Sequence, residues 1–216
     1  MDMYLPLYFK TDHLRCLVIG GGKVAARKVE MLLAAGCSLT LIAPEIERSI
    51  QEAADRGLLR WHARKYAGGD CEGFHLVIAA TPCEETNRAV SFEAERRGIP
   101  ANVVDVPDLC TVIFGASWHE GPLSVSVSTG GTAPFMAAVV RDRIAEAAGG
   151  LGEWVEAAGR FRAAVRHAIR ESEEKEHLYR RFVDRIRRGS PPSGMPQSQE
   201  LTEWLAWLDR PETPQG

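Results

Sequence analysis

The sequence predicts an α/β fold in which parallel strands alternate with helices, followed by a small α+β segment and a helical domain. Between residues 15 and 104, short apolar runs of the kind found in buried parallel strands alternate with amphipathic stretches of ten or more residues. After Pro107 the pattern changes, because residues 122–129 alternate apolar and hydroxyl side chains, which is typical of a strand with one covered face.

The first part of the chain contains five predicted strands and three predicted helices. We predict strands at 15–19, 39–42, 58–62, 75–80 and 101–104, and helices at 24–35, 45–56 and 84–97. Each helix ends just before a glycine (Gly36, Gly57 and Gly98), the residue that most often closes a helix in the left-handed conformation. Strands joined by helices in this way form a doubly wound parallel sheet with right-handed connections.

The second part is predicted to be a dimerisation segment followed by helices. We expect strands at 111–115 and 122–129 with a loop around His119, a helix at 133–147, a break at Gly149, Gly150 and Gly152, and charged helices as far as Arg188. Residues 189–197 read as a linker, and 201–208 as a short terminal helix. The predicted domains are therefore 1–112, 113–150, 151–188 and 189–216.

A glycine-rich turn follows the first strand and opens the first helix. Residues 20–25 match the GxGxxG/A pattern, with Ala25 at the third small position. In this pattern the first glycine permits the turn, the second lets a pyrophosphate approach the backbone, and the third lets helix and strand pack closely. A pyrophosphate would lie on the free N–H groups of the helix. The context predicts a Rossmann-type, dinucleotide-binding domain at 1–112.

Three polar side chains stand where predicted strands end, which is where ligands bind in such sheets. Glu45 follows the second strand and either holds the ribose hydroxyls of a cofactor or favours the start of its own helix; both interpretations stay open. Thr81 follows the fourth strand as a cofactor contact or a helix cap. Asp105 follows the fifth, as a catalytic group or part of an Asx-type turn. Because no arginine directly follows the second strand, NAD is favoured over NADP.

Five blocks in order, 4–8, 18–28, 77–81, 102–105 and 128–134, resemble the precorrin-2 dehydrogenase family and the matching part of siroheme synthase. The resemblance implies that NAD takes a hydride from precorrin-2 to give sirohydrochlorin, with Asp105 handling a proton. It implies a homodimer built from about 113–150, and, in some members, insertion of ferrous iron. The site residues that spacing and resemblance together predict are, for the cofactor, Gly20, Gly22, Lys23, Val24, Pro44, Glu45 and Thr81, and, for the substrate, Ser128, Thr129 and Arg141.

The substrate that the resemblance implies carries eight carboxylates, and arginine suits carboxylates because its fork pairs with both oxygens. Six arginines on the later predicted helices are candidates, of which we expect one or two to bind: Arg141, Arg143, Arg160, Arg162, Arg166 and Arg170. His119 is either a second acid–base group or an ordinary loop residue, and we favour the second.

Composition excludes several classes of protein. The formal net charge of -3 does not suggest a nucleic-acid binder, and no apolar run approaches the roughly 18 residues that cross a membrane. The N-terminus lacks the order of a signal peptide, so we expect a cytoplasmic protein. The five cysteines are widely spaced, which favours buried thiols over a metal site.

Three alternatives remain beside the dehydrogenase. A dehydrogenase that also inserts iron would accelerate metal insertion into sirohydrochlorin. A NAD-sensing regulatory module would share the glycine turn but would not need Asp105. A dehydrogenase for a small hydroxy acid would need a substrate-binding histidine–carboxylate pair and a larger second domain, and the sequence shows neither.

Overall fold

The structure is a computed structural model, and it describes residues 4–187 and 194–210. The chain divides into two compact units, Met1–Phe114 and Gly115–Gly216. No helix in the described part of the chain is long and apolar enough to cross a membrane.

The first unit is a five-stranded parallel sheet with the strand order β3-β2-β1-β4-β5. Its strands are β1 (Arg15–Ile19), β2 (Ser38–Ile42), β3 (Arg60–His62), β4 (Leu76–Ala79) and β5 (Ala101–Val103). Its helices are α1 (Lys23–Ala34), α2 (Arg48–Asp55) and α3 (Glu84–Arg96). The strand order reverses at β1, because the connection after β1 runs to one side of the sheet and the connection after β4 runs to the other. A crevice therefore opens between the ends of these two strands.

Alternate residues of the central strand face two separate apolar cores. Cys16 and Val18 pack on one face of the sheet, together with α1. Leu17 and Ile19 pack on the other, together with Val90 of α3. The central strand is apolar on both faces for this reason, as a covered parallel sheet requires.

One face of α1 packs in the same core as Cys16 and Val18 of β1. Its buried residues are Ala25, Val29 and Leu32, whereas Val24 and Met31 are exposed. The close packing of the glycine turn against the sheet turns Ala25 inward, and this sets the rotation of the helix.

The predicted start of α2 at residue 45 is wrong by three residues. The N–H group of Glu47 donates to the carbonyl of Gly21 (2.8 Å), so the chain after β2 is tied to the glycine turn before it can become helical. The helix begins at Arg48. Glu45 therefore lies outside the first turn of α2, and the interpretation that it favours the start of its helix is wrong.

The second unit begins with a two-stranded antiparallel sheet, β6 (Ala116–Glu120) and β7 (Leu123–Val127). The predicted strand at 111–115 is wrong, because the N–H groups of Thr111 and Val112 both point to the carbonyl of Ala101, which holds this segment beside β5 outside any strand. The predicted loop is also wrong, since His119 is an exposed residue of β6.

The described residues of the second unit also form four helices: α4 (Pro134–Ala148), α5 (Leu151–Ala168), α6 (Ser172–Arg187) and α7 (Leu201–Leu208). The terminal helix is confirmed at its predicted bounds, while Arg188, the predicted end of the charged helices, and residues 189–193 of the predicted linker lie outside the described residues. Gly152 belongs to α5 and does not break it; a Cβ there would lie 2.5 Å from the carbonyl oxygen of Glu120, so a glycine is needed for close packing on β6.

Candidate functional site

A cavity of about 760 Å³ opens at the carboxyl edge of the sheet in the first unit. It lies above the ends of β1, β2 and β4, where the strand order reverses. Of the predicted cofactor residues, five line it: Gly20, Gly22, Pro44, Glu45 and Thr81. The other two, Lys23 and Val24, begin α1 with exposed side chains and are not part of its lining.

The three glycines of the turn lie in different environments, so the reason for having a glycine differs from one position to the next. Gly20 has a φ of 120°, and a Cβ there would lie 2.2 Å from the carbonyl oxygen of Ala80. A Cβ on Gly21 would lie 2.0 Å from the carbonyl oxygen of Glu45. Both are thus required by the packing of the protein on itself. Gly22 has an extended backbone (φ -81°) that any residue adopts, and its Cβ would meet nothing within 4 Å.

Gly22 is also the N-cap of α1, and no side chain caps this end of the helix. No acidic residue stands in the first turn of α1. The first N–H groups of a helix have no partner within the helix, and together with the helix dipole they favour an anion. The open backbone at Gly22 and the uncapped helix together suit a pyrophosphate that lies directly against the chain.

Thr81 organises the turn after β4. Its hydroxyl donates to Oδ1 of Asn87 (2.8 Å) and accepts from the N–H group of Cys83 (3.2 Å), while the amide of Asn87 donates to the carbonyl of Thr81 (2.9 Å). Asn87 is one of two buried polar residues of the described chain. Thr81 therefore organises the turn before α3, whose N-cap is Cys83 without a side-chain hydrogen bond, so the helix-cap interpretation is wrong. The same residue lines the cavity.

Sequence reasoning missed the part of the cavity that the β3–β4 connection provides. Lys65 and Tyr66 line it, and they follow β3 at the same carboxyl edge, a signal that could have found them. The further lining residues outside the predicted set are Ile19, Gly21, Ile42, Ala43, Ile46, Glu47, Arg48, Pro82, Cys83 and Thr86.

Tyr66 is held in place by a hydrogen-bond network centred on Glu93. Its hydroxyl donates to Glu93 of α3, which also accepts the N–H groups of Gly69 and Cys71 and the side chain of Arg97. Burial, and then the bond to Glu93, raise the pKa of Tyr66, so the hydroxyl stays protonated. Burial alone would raise the pKa of Glu93, but the donors around it outweigh burial and lower it.

Asp105 stands at the same edge of the sheet, two residues after the end of β5, but is not part of the cavity lining. It is exposed and has a φ of 60°, a left-handed conformation that no other non-glycine residue of the described chain adopts. The following loop is closed by Cys110, whose Sγ lies 3.1 Å from the carbonyl oxygen of Val103 and 3.4 Å from that of Val106. The loop that Cys110 closes thus holds Asp105 in this conformation. A single aspartate tolerates the left-handed conformation at modest cost.

The predicted substrate residues all lie in the second unit and have local partners. The hydroxyl of Ser128 accepts the N–H group of Gly130 (3.1 Å), and that of Thr129 accepts the N–H group of Ala133 just before α4 (3.2 Å). Arg141 is paired with its neighbour Asp142 (2.5 Å). The described residues contain no group of three or more histidine, cysteine or acidic side chains that could hold a metal ion.

The sheet, the glycine turn and the cavity at the strand ends define the first unit as a dinucleotide-binding domain of the Rossmann type. Residues 7–116, half of the chain, match the family described as Putative NAD(P)-binding, and the chain belongs to that family. Its cofactor class is therefore a nicotinamide dinucleotide. Residues 120–147 match the family described as Sirohaem biosynthesis protein central.

Siroheme synthases are among the similar proteins of known name. That of Methylococcus capsulatus is 44% identical over 182 residues, which are 84% of this chain and 38% of that protein. That of Methylobacillus flagellatus is 46% identical over 140 residues, or 65% and 30% of the two chains. The chain thus spans less than two fifths of the length of these relatives. The matches confirm the family resemblance that the sequence predicted.

A solved structure of SirC, precorrin-2 dehydrogenase, has the same fold. It superposes with a TM-score of 0.68 at 19% identity, over 96% of this chain and 99% of that one. The predicted fold class, a Rossmann-type parallel sheet followed by a small α+β segment and a helical region, is confirmed.

Proposed function

We propose that this chain is an NAD-dependent dehydrogenase that converts precorrin-2 to sirohydrochlorin in siroheme biosynthesis. The observation that carries the cofactor half of the proposal is the open backbone of Gly22. Folding does not require a glycine there, whereas a ligand lying on the backbone does. The substrate half is supported by the names of the similar proteins, siroheme synthases and a precorrin-2 dehydrogenase.

Different residues of the cavity would bind different parts of the cofactor. Gly20, Gly22 and the first N–H groups of α1 would hold the pyrophosphate, and Glu45, exposed after β2, would accept hydrogen bonds from the ribose hydroxyls. We infer NAD as the cofactor, since Glu45 would repel a 2′-phosphate and Arg48 is bonded to Glu52 (2.8 Å). Bound NAD would supply the acceptor for the hydride that precorrin-2 loses.

Asp105 is proposed as the group that takes the proton in the same reaction. Precorrin-2 gives up a hydride and a proton, so the reaction yields sirohydrochlorin, NADH and a released proton. A carboxylate on a rigid loop at the strand ends suits that task, and a positioned base contributes roughly 10²–10⁴-fold. Ser128, Thr129 and Arg141 are proposed to bind the substrate, and a second copy of the chain is the proposed partner. A cytoplasmic location and insertion of ferrous iron as a second substrate stay predictions from the sequence.

The test is anaerobic formation of NADH from freshly prepared precorrin-2 and NAD, followed by absorbance. Asp105→Ala should lower turnover roughly 10²–10⁴-fold and leave NAD affinity nearly unchanged. Near-normal turnover of this variant would remove Asp105 from the mechanism. Measurable NAD binding without NADH formation by the unaltered protein would favour a NAD-sensing module.

The cofactor site is tested separately by Gly22→Asp, which should abolish NAD binding in calorimetry because bulk and charge enter the pyrophosphate position. Gly68→Asp is the matched control, since a Cβ there also meets nothing within 4 Å and Gly68 lies outside the cavity lining. Equal NAD affinity of the two variants would refute the assigned site.

A further inference from the structure

Tyr66 belongs to the wall of the cofactor cavity, and the proposed function gives it no role. It follows β3 and packs, half-buried, against the apolar core that contains Ile19 and Ile42, the last residues of β1 and β2. Among the described residues that line this cavity, Tyr66 alone carries an aromatic ring. An aromatic ring offers a face on which any nucleotide base can stack.

The strand order indicates which half of a dinucleotide lies on the side of Tyr66. The glycine turn follows β1, in the middle of the order β3-β2-β1-β4-β5, and the pyrophosphate is expected there. Asp105 follows β5 at one end of the sheet, so a nicotinamide that reacts near Asp105 extends toward that end. The adenosine half then extends toward the ends of β2 and β3, which Glu45 and Tyr66 follow.

The position of the Tyr66 ring is not set by packing alone. Tyr66 also lines a second cavity of the first unit, of about 570 Å³, together with Gly68, Phe92 and Arg96. Because Tyr66 borders open space outside the cofactor cavity as well, close packing does not hold it on all sides. A directed bond is therefore needed to keep the ring in the wall of the cofactor cavity.

Glu93 of α3 supplies that bond. Its Oε2 accepts the hydroxyl of Tyr66 and the N–H group of Gly69 (2.9 Å), and its Oε1 accepts the N–H group of Cys71 (3.2 Å) and Nε of Arg97 (3.0 Å). Glu93 does not line the cofactor cavity itself. Any effect of this carboxylate on the cofactor therefore passes through the segment 66–71 that it ties to α3.

We propose that the ring of Tyr66 is the surface on which the adenine base of the cofactor packs, and that Glu93 is a positioning residue that holds this ring through the Tyr66 hydroxyl. The inference rests on the proposed function for the identity of the cofactor. Its distinctive consequence is an unequal effect on the two halves of the dinucleotide, which is measured without the tetrapyrrole.

The first experiment titrates the full chain with AMP and, separately, with nicotinamide mononucleotide, and follows binding by NMR. Tyr66→Leu, which keeps an apolar side chain in the core but removes the ring, should weaken AMP binding roughly tenfold. Tyr66→Phe and Glu93→Ala keep the ring but remove its bond, and each should weaken AMP binding roughly threefold. Binding of nicotinamide mononucleotide should stay nearly unchanged in all three variants.

The second experiment measures KM for NAD and kcat in NADH formation from precorrin-2. Glu93→Ala should raise KM by about the factor by which it weakens AMP binding and leave kcat nearly unchanged, because a contact far from the reacting atoms binds ground and transition state equally. Glu93→Gln keeps one acceptor oxygen for the Tyr66 hydroxyl and should recover most of the loss. Glu95→Ala, an exposed change on the same helix, is the matched control and should behave as the unaltered protein.

The outcomes are distinguishable. Equal AMP affinity of Tyr66→Leu and the unaltered protein would overturn the role of Tyr66, and equal losses for AMP and nicotinamide mononucleotide in Glu93→Ala would show that Glu93 supports the cavity as a whole and overturn its positioning role. Neither result would touch the proposed dehydrogenation. Selective loss of AMP affinity in a protein that forms no NADH from precorrin-2 would refute the dehydrogenation and support the assignment of Tyr66 and Glu93.

Discussion

The two units of the chain bury their apolar surface in different ways. In the first unit, residues 16–19 of the central strand β1 are at most 1% exposed, because helices and a connecting loop cover both faces of the sheet. In the second unit α4 has one buried residue, Ala137, and leaves Phe135 74% and Val139 45% exposed. Large exposed apolar patches mark interaction surfaces, which supports α4 as part of the proposed homodimer contact.

The helical part of the second unit differs again, because aromatic rings and not aliphatic strands form its core. Trp204 is fully buried, and its ring lies 5.4 Å from that of Phe161 and 6.0 Å from that of Trp207. Arg185 lies over Trp207 (4.4 Å) and donates to the carbonyls of Leu208 and Arg210. The comparison shows that α7 completes an aromatic core that it shares with α5 and α6.

The largest effect is expected for Trp204→Ala, which should destabilise the helical core by about 3–5 kcal/mol. NAD affinity should stay nearly unchanged, because every residue that lines the cavity belongs to the first unit. Chemical denaturation followed by tryptophan fluorescence, with calorimetry for NAD, measures both. Leu205→Ala, at a half-buried position of the same helix, should cost clearly less; equal losses would show that Trp204 has no special place in the core.

Next in size is a pair of substitutions within the glycine turn. Gly20→Ala should cost about 2–4 kcal/mol, since its Cβ would meet the Ala80 carbonyl at 2.2 Å in a left-handed conformation. Gly22→Ala should change stability by less than about 0.5 kcal/mol and yet weaken NAD binding. Thermal unfolding with and without NAD makes the comparison, and similar losses of stability in both variants would contradict the separate roles of the two glycines.

A smaller effect is expected on the proposed homodimer. Phe135→Glu places a charge on the exposed apolar face of α4 and should weaken self-association by about 1.5–3 kcal/mol, the value of burying such a side chain. Sedimentation at several concentrations should then show monomers. Glu146→Gln, an exposed change on the same helix, is the control. A monomeric unaltered protein would refute the partner proposal.

The smallest effect concerns acid stability of the first unit. Because the folded-state pKa of Glu93 is lowered, its contribution is present above its ordinary value of 4.5 and is lost as the pH falls below it. Glu93→Gln should therefore be less stable than the unaltered protein by about 1 kcal/mol near pH 7, with a difference that shrinks below pH 4.5. Glu95→Gln, exposed on the same helix, should show no such pH dependence; a constant difference for Glu93→Gln would contradict the assignment.

Much of the first unit could be predicted because its signals are local. The run 15–19 and the glycines after it identify β1 and the start of α1 within one residue, since apolar runs and glycine turns depend on neighbouring residues alone. The strand wrongly predicted at 111–115 has the same apolar character, but its N–H groups are taken by Ala101, a residue ten positions away. Tyr66 was missed for a related reason, because its place in the cavity depends on the path of an irregular connection and on Glu93.

The sequence by itself determined the class of the first unit, the glycine turn and the polar residues at the strand ends, because these follow from periodicity and from the short-range geometry of glycine. Only the tertiary structure decided that Gly22 faces open space while Gly20 and Gly21 pack against the chain, and that Lys28 lies over the ring of Phe114. The physical reason is that local conformation depends on neighbouring residues, whereas open space, burial and the reach of a charge depend on residues that folding brings together from distant parts of the chain.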